Sequence, residues 1–178
     1  MKKIRILLYR TVWKLKLKYF FNWLISIRTL SKWSHVEILD PDDGIDIGGT
    51  VQDFWNNGTC YTSTLRGSCN GTVSRNASLV LDHPENWDYI EIELTEKQYE
   101  VLIWWLDMKV AANMGYSKRD TMKFLVPVHF DDYQRDICSE LINNGLVVIQ
   151  VVLGFGIVSP AKVVKKLTKL GLKVKSLL

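Results

Sequence analysis

With 178 residues, 47% of them hydrophobic, and three cysteines in neither metal-ligand spacing nor an even disulfide framework, the chain is one domain with a sizeable core, which excludes a disordered segment, a zinc module and a small stapled scaffold. The formal charge of +4 conceals an asymmetry: all 19 acids lie between Glu37 and Glu140, while residues 1–36 carry nine Lys and Arg and residues 141–178 carry six. Basic ends of this kind indicate an anionic partner (nucleic acid, an anionic membrane or a cell-wall polymer), or they dock on the acidic middle of the same domain.

Ile4-Arg5-Ile6-Leu7-Leu8-Tyr9 reads as a short buried strand. Arg10 cuts the apolar run short and no small-residue cleavage site follows, so neither a signal peptide nor a transmembrane span is expected. From Val12 to Leu30, Trp13, Leu17, Phe20, Phe21, Leu24, Ile27 and Leu30 recur at three and four, predicting a basic amphipathic helix that covers a sheet or lies on a membrane surface. Ser34-His35-Val36-Glu37-Ile38-Leu39 reads as a strand, with Ser34, Val36 and Ile38 on one face and His35, Glu37 and Leu39 on the other. The acidic turn Asp40-Pro41-Asp42-Asp43-Gly44 lacks the spacing of a calcium loop.

Residues 50–80 read as short strands broken by Asn56-Asn57-Gly58 and Asn70-Gly71. Cys60 and Cys69 either pair across this hairpin region or remain thiols, and Tyr61 to Leu65 is expected to pair beside the histidine strand. Trp87 to Leu94 alternates cleanly and is the most secure strand. Thr95 with Gln98 forms a capping box, and Leu94 with Tyr99 a hydrophobic staple, for a helix running to about Asn113 with a core stripe of Val101, Leu102, Trp105 and Met108. A short helix is expected over Lys118–Leu125, ended by Pro127; His83 and His129 lie outside recognisable motifs, and His129, nine residues before Cys138, is read as a surface residue in preference to one that approaches the cleft.

Asp136-Ile137-Cys138-Ser139-Glu140-Leu141-Ile142 places a cysteine where a helix begins. A thiol there faces the positive end of the helix dipole and backbone N–H groups that lack helical partners, which favours the reactive thiolate and can hold an oxyanion. The same residue type serves equally as a buried structural cysteine. His35, a hundred residues earlier, adds the missing base, since a nucleophilic thiol needs a group to take its proton and return it to the leaving group. Beyond this helix, Leu146–Phe155 suggests more helix or a buried strand. Ser159 then caps a last helix with Pro160 at its first position, a Val163, Val164, Leu167 and Leu170 stripe, and Lys162, Lys165, Lys166 and Lys169 opposite.

Taken in order, Ser34-His35-Val36-Glu37-Ile38, Cys60-Tyr61-Thr62-Ser63 followed by Arg66-Gly67, Ile137-Cys138-Ser139-Glu140-Leu141-Ile142 and Val158-Ser159-Pro160-Ala161 resemble the circularly permuted NlpC-type papain-like superfamily, closest to its YiiX-like branch and that branch's bacteriophage-encoded members. The resemblance spans about residue 4 to 165 and implies Cys138 as nucleophile, His35 as base and a third polar residue orienting the imidazole. The stretch beside the histidine strand, where the family's third residue usually lies, holds only Thr62, Ser63 and Thr64, so Glu37 is preferred as orienter with Ser63 (or Thr62) in reserve. Arg66 and Gly67 would line the substrate rim.

The expected architecture is therefore α+β, a single domain over 1–178 of permuted papain-like type, with an antiparallel sheet packed against the cysteine-bearing helix. The implied activity is that of a cysteine peptidase or amidase working through an acyl-enzyme on a peptide, acyl or cell-wall polymer substrate, without cofactor or metal. A phage origin would place it in the virion, with other virion proteins as partners, or in the host cytoplasm. A thioesterase or acyltransferase acting on lipid uses the same acyl-enzyme, and a binding or virion structural module would keep the fold without the chemistry. Specific nucleic-acid recognition is not expected, because no stacking or recognition motif accompanies the basic ends.

Overall fold

The computed structural model describes residues 1–11, 31–41, 58–64, 70–112, 115, 137–152, 154–156 and 158–177. The expected helices over 12–30 and 118–125, His129, Cys69, Arg66, Gly67 and most of the 40–44 turn lie outside these residues.

Six strands form one antiparallel sheet: β1 (Lys2–Arg10), β2 (Trp33–Asp40), β3 (Thr59–Thr64), β4 (Gly71–Asn76), β5 (Trp87–Leu94) and β6 (Val174–Ser176), in the order β4-β3-β2-β1-β5-β6. Four helices are described: α1 (Ala77–Val80), α2 (Glu96–Ala111), α3 (Cys138–Val148) and α4 (Pro160–Lys169). The protein is α+β, and none of the described helices is long and apolar enough to cross a membrane.

Both faces of the sheet are buried at its centre, which is why the middle of β1 reads as the apolar run Ile6-Leu7-Leu8-Tyr9 between basic residues. Ile4, Ile6 and Leu8 of β1, Val36 and Ile38 of β2, and Ile90, Ile92 and Leu94 of β5 form a core with Leu102 and Leu106 of α2, Leu141, Ile142 and Leu146 of α3, and Val163, Val164 and Leu167 of α4. Across the sheet, Leu7, Leu39, Cys60 and Trp87 pack with Ala77, Val80, Leu81 and Leu177. Each expected stripe fails only at its last member: in α2, Leu102 is buried with Val101 and Trp105 packed against the core, but Leu106 is buried in place of Met108, which is 46% exposed, and Leu170, past the last turn of α4, is 55% exposed while Val163, Val164 and Leu167 are buried. The α2 capping box is formed, with Thr95 Oγ1 accepting from Gln98 N–H and Gln98 Oε1 accepting from Thr95 N–H. At the crossing of α2 and α3 a Cβ on Gly145 would sit 3.1 Å from Leu102 Cδ1 and 3.2 Å from Trp105 Cζ3. Gly145→Val should therefore overpack this crossing and lower stability by about 1–3 kcal/mol, read as a lower urea midpoint.

The two basic ends clamp the acidic strand between them. β5 lies between β1 and β6, and its Glu91 accepts from Arg5 at 3.0 Å, with Lys3 at 3.7 Å and Lys175 at 3.8 Å. Asp88, also on β5, accepts from Arg10, from Trp33 Nε1–H at 2.9 Å and from Lys32 at 3.2 Å, while Arg10 also donates to Ser176 Oγ. This cluster ties the start of β2 to β1, β5 and β6. Burial pushes the Asp88 carboxyl up, but hydrogen bonds from Arg10, Trp33 and Lys32 together outweigh it and hold the group below its ordinary range. At Glu91 burial likewise pushes upward and is outweighed by Arg5, Lys175 and Lys3. Because both folded-state values are depressed, their contribution is fully present above the unfolded carboxylate values of about 4 and is lost as pH falls through the folded ones. Urea midpoints should stay level from neutral pH to about pH 5 and drop below about pH 4, and Asp88→Asn should flatten part of that drop.

Candidate active site

Strand β2 carries His35 and Glu37 on one face, opposite Val36 and Ile38. The β1–β2 register passes from Tyr9↔His35 to Arg10↔Trp33, so Ser34 is an extra residue and the strand is bulged immediately before the histidine. The bulge lets Trp33 join the helix-side core while His35 keeps the other face. His35 Nε2 lies 2.9 Å from Glu37 Oε1, and both residues are buried, Glu37 to 0% exposure. An Nε2–H donated to the carboxylate would fix the orientation of the ring.

Two neighbouring strands complete this cluster. Thr62 Oγ1 of β3 lies 3.3 Å from the same Nε2. Arg75 of β4 reaches across β3 and donates from Nη2 to Glu37 Oε1 at 3.0 Å, bringing a positive charge to a carboxylate otherwise shut away from water. Glu37 Oε2 and Arg75 Nε have no hydrogen-bond partner among the described residues. Ser63 is fully buried but alternates onto the face of Tyr61, which packs in the helix-side core; Thr62, not Ser63, is the β3 hydroxyl beside the imidazole. Arg75 escapes sequence reading because its link to Glu37 crosses a whole strand, and no local pattern signals it. Cys60, on the same face, is a buried thiol pushed well above its usual range, first by burial and then by the charge of Glu37, with Arg75 opposing. It is built as a core residue.

Cys138 opens α3, a helix packed on β2 and β3. Helices α1, α2 and α4 each begin with a side-chain cap, from Asn76, Thr95 and Ser159. Among the described helices α3 differs: its N-cap is Ile137, which has no oxygen to offer, and an apolar residue there costs about 1 kcal/mol relative to a polar cap. Ile137 C=O accepts from the N–H groups of Glu140 and Leu141, so the first-turn N–H groups of Cys138 and Ser139 stand at the helix end beside the thiol. The helix is fixed from its second residue, where Ser139 Oγ–H donates to Val158 C=O, immediately before the Ser159-Pro160 start of α4. On its far side Asn143 Nδ2 donates to Gly154 C=O at 3.0 Å, and Lys166 Nζ donates to Asn143 Oδ1 at 2.6 Å.

The placement of thiol and imidazole has a specific geometry. Cys138 belongs to the helix-side core with Val36 and Ile38, whereas the His35, Glu37, Thr62 and Arg75 cluster occupies the other face. The β2–β3 ladder runs over only three pairs, Ile38↔Tyr61, Leu39↔Cys60 and Asp40↔Thr59, and stops short of His35, while β3 stays paired with β4 up to Thr64↔Gly71. Toward His35 the two strands are thus no longer laddered together, and α3 packs on both of them. No family model matches the chain, and no curated protein is similar to it.

Proposed function

We propose that the protein is a cysteine hydrolase of permuted, NlpC-type papain-like architecture, with Cys138 as nucleophile, His35 as general acid and base, and Glu37 as the group that orients the imidazole. The observation that carries this reading is the hydrogen bond between His35 Nε2 and a fully buried Glu37, on a strand against which the cysteine helix packs. In this reading the thiol and the imidazole would have to come together beyond the end of the β2–β3 ladder, which stops at Ile38↔Tyr61. His35 takes the thiol proton, the thiolate adds to an amide carbonyl, and the oxyanion is held by the Cys138 backbone N–H in the uncapped first turn. The imidazolium then protonates the departing amine, and water, deprotonated by His35, converts the thioester to a carboxylic acid and regenerates the thiol. Peptides of the bacterial cell wall are the proposed substrate class, acted on by a virion-borne or lysis-related enzyme.

The test is covalent trapping. Incubation with cell-wall peptides, followed by rapid acid quench and intact-mass measurement, should show an acyl adduct on Cys138 that is absent in Cys138→Ala and accumulates poorly in His35→Ala. Adducts formed only from lipid thioesters or acyl lipids would move the reading to a thioesterase or acyltransferase.

A second reading rests on one observation, the assignment of Cys138 and His35 to cores on opposite faces of the sheet. In that case His35, Glu37 and Arg75 form a structural polar network and the protein is a binding or virion structural module. Full biological function in Cys138→Ala would establish it.

A further inference from the structure

We propose that α4 and the adjoining turn at Gly154–Gly156 form a docking surface for an anionic lipid bilayer. The chain holds no acidic residue after Glu140. α4 buries Val163, Val164 and Leu167 in the core and turns Lys162, Lys165 and Lys169 outward, with Lys173 exposed just beyond. Among the described residues none of these four lysines makes an ion pair, in contrast to the basic residues of β1 and β6 that are matched by β5.

Apolar groups accompany this charge. Lys166 is drawn inward, donating from Nζ to Gly154 C=O at 3.2 Å as well as to Asn143, which pins the turn against the helix. Phe155 stands at the tip of that turn, 68% exposed, between Gly154 at φ 83° and Gly156 at φ 113°. Both glycines occupy the left-handed region that side chains avoid, so the turn that presents the ring depends on them. Leu170, one helical turn beyond Lys166, is the second exposed apolar group. Ammonium groups flanking exposed apolar tips fit the boundary between phosphate headgroups and acyl chains. A nucleic-acid backbone would use the lysines but give Phe155 and Leu170 nothing to bury against.

The experiment is cosedimentation of the full chain with phosphatidylcholine vesicles, with and without phosphatidylserine. The wild type should pellet with the anionic vesicles and be released by salt. Replacing Lys162, Lys165 and Lys169 together by Gln should lower partitioning about a hundredfold, and Phe155→Ser should lower it about tenfold with an unchanged salt slope. These side chains are exposed, so unchanged urea midpoints will show that the variants fold. Equal pelleting with neutral vesicles, no pelleting, or full binding by the triple variant overturns the proposal. So does displacement by duplex DNA together with wild-type binding by Phe155→Ser, which would make the surface a plain polyanion site. Cys138→Ala should pellet like the wild type, so this test stands or fails independently of the hydrolase chemistry.

Discussion

Replacing His35 by alanine is expected to slow alkylation of Cys138 about tenfold near pH 6. A thiol that shares its proton with an imidazole is largely thiolate well below the ordinary value of about 8.5, which raises the reactive fraction near pH 6 by two to three orders of magnitude. The gain is partly offset, because a less basic thiolate is a poorer nucleophile, with a Brønsted slope of about 0.4–0.5. About one order of magnitude remains near pH 6; it should shrink as pH rises and reverse toward pH 9, where both thiols are ionised and the less basic wild-type thiolate is the poorer nucleophile. Site-resolved mass spectrometry with iodoacetamide in a Cys69→Ser background isolates the signal, because Cys60 is buried and its thiol is held in the neutral form. Equal rates in the wild type and His35→Ala across the pH range would remove the dyad and leave the second reading, a structural polar network under a non-catalytic fold.

Arg75→Met should be the most damaging single change to stability, about 3–5 kcal/mol, because it strips the guanidinium from a carboxylate with no access to water. Glu37→Gln alone leaves Arg75, which is partly exposed, able to turn toward solvent and should cost less. The double variant should recover part of the loss, with a coupling of about 1–3 kcal/mol in a urea-unfolding cycle. Arg75→Lys keeps the charge but not the reach of the planar fork and should fall between wild type and Arg75→Met. In the proposed hydrolase Arg75 acts through Glu37, as a positioning residue. In Arg75→Lys the pH profile of Cys138 alkylation should therefore move toward that of His35→Ala, a change that stability loss alone would not produce. Strictly additive single effects would show that the two side chains are not coupled.

Much of this arrangement was legible where its signal is local. The alternation of Trp87–Leu94, the Thr95 and Gln98 capping box and the Ser159-Pro160 helix start each depend on neighbours within four residues, and the structure has all three. The alternation of β2 likewise set His35 and Glu37 on one face. What was not legible depends on register. Whether Thr62 or Ser63 meets the imidazole is decided by which residue of β3 stands opposite Ile38, and a shift of one residue would exchange them. The Arg75 contact needs two such registers at once. Strand β6, three residues long, carries no pattern of its own and exists because β5 offers it an edge. The buried stripe of α2 was misjudged at Met108 because the helix rotates Leu106 inward to meet the sheet.

The position of β1 has a kinetic consequence. This apolar strand is laddered on one side to β2, close in sequence, and on the other to β5, with Arg5 and Glu91 separated by 86 positions. During synthesis it emerges before β5 and must wait for it before its second edge is covered. Closing so long a loop precedes any reward from the contacts it makes, which slows folding relative to a helical bundle of similar size. A chain halted before residue 94 would display a strand of high β-propensity with one open edge, the part of the molecule most prone to self-association before folding is complete.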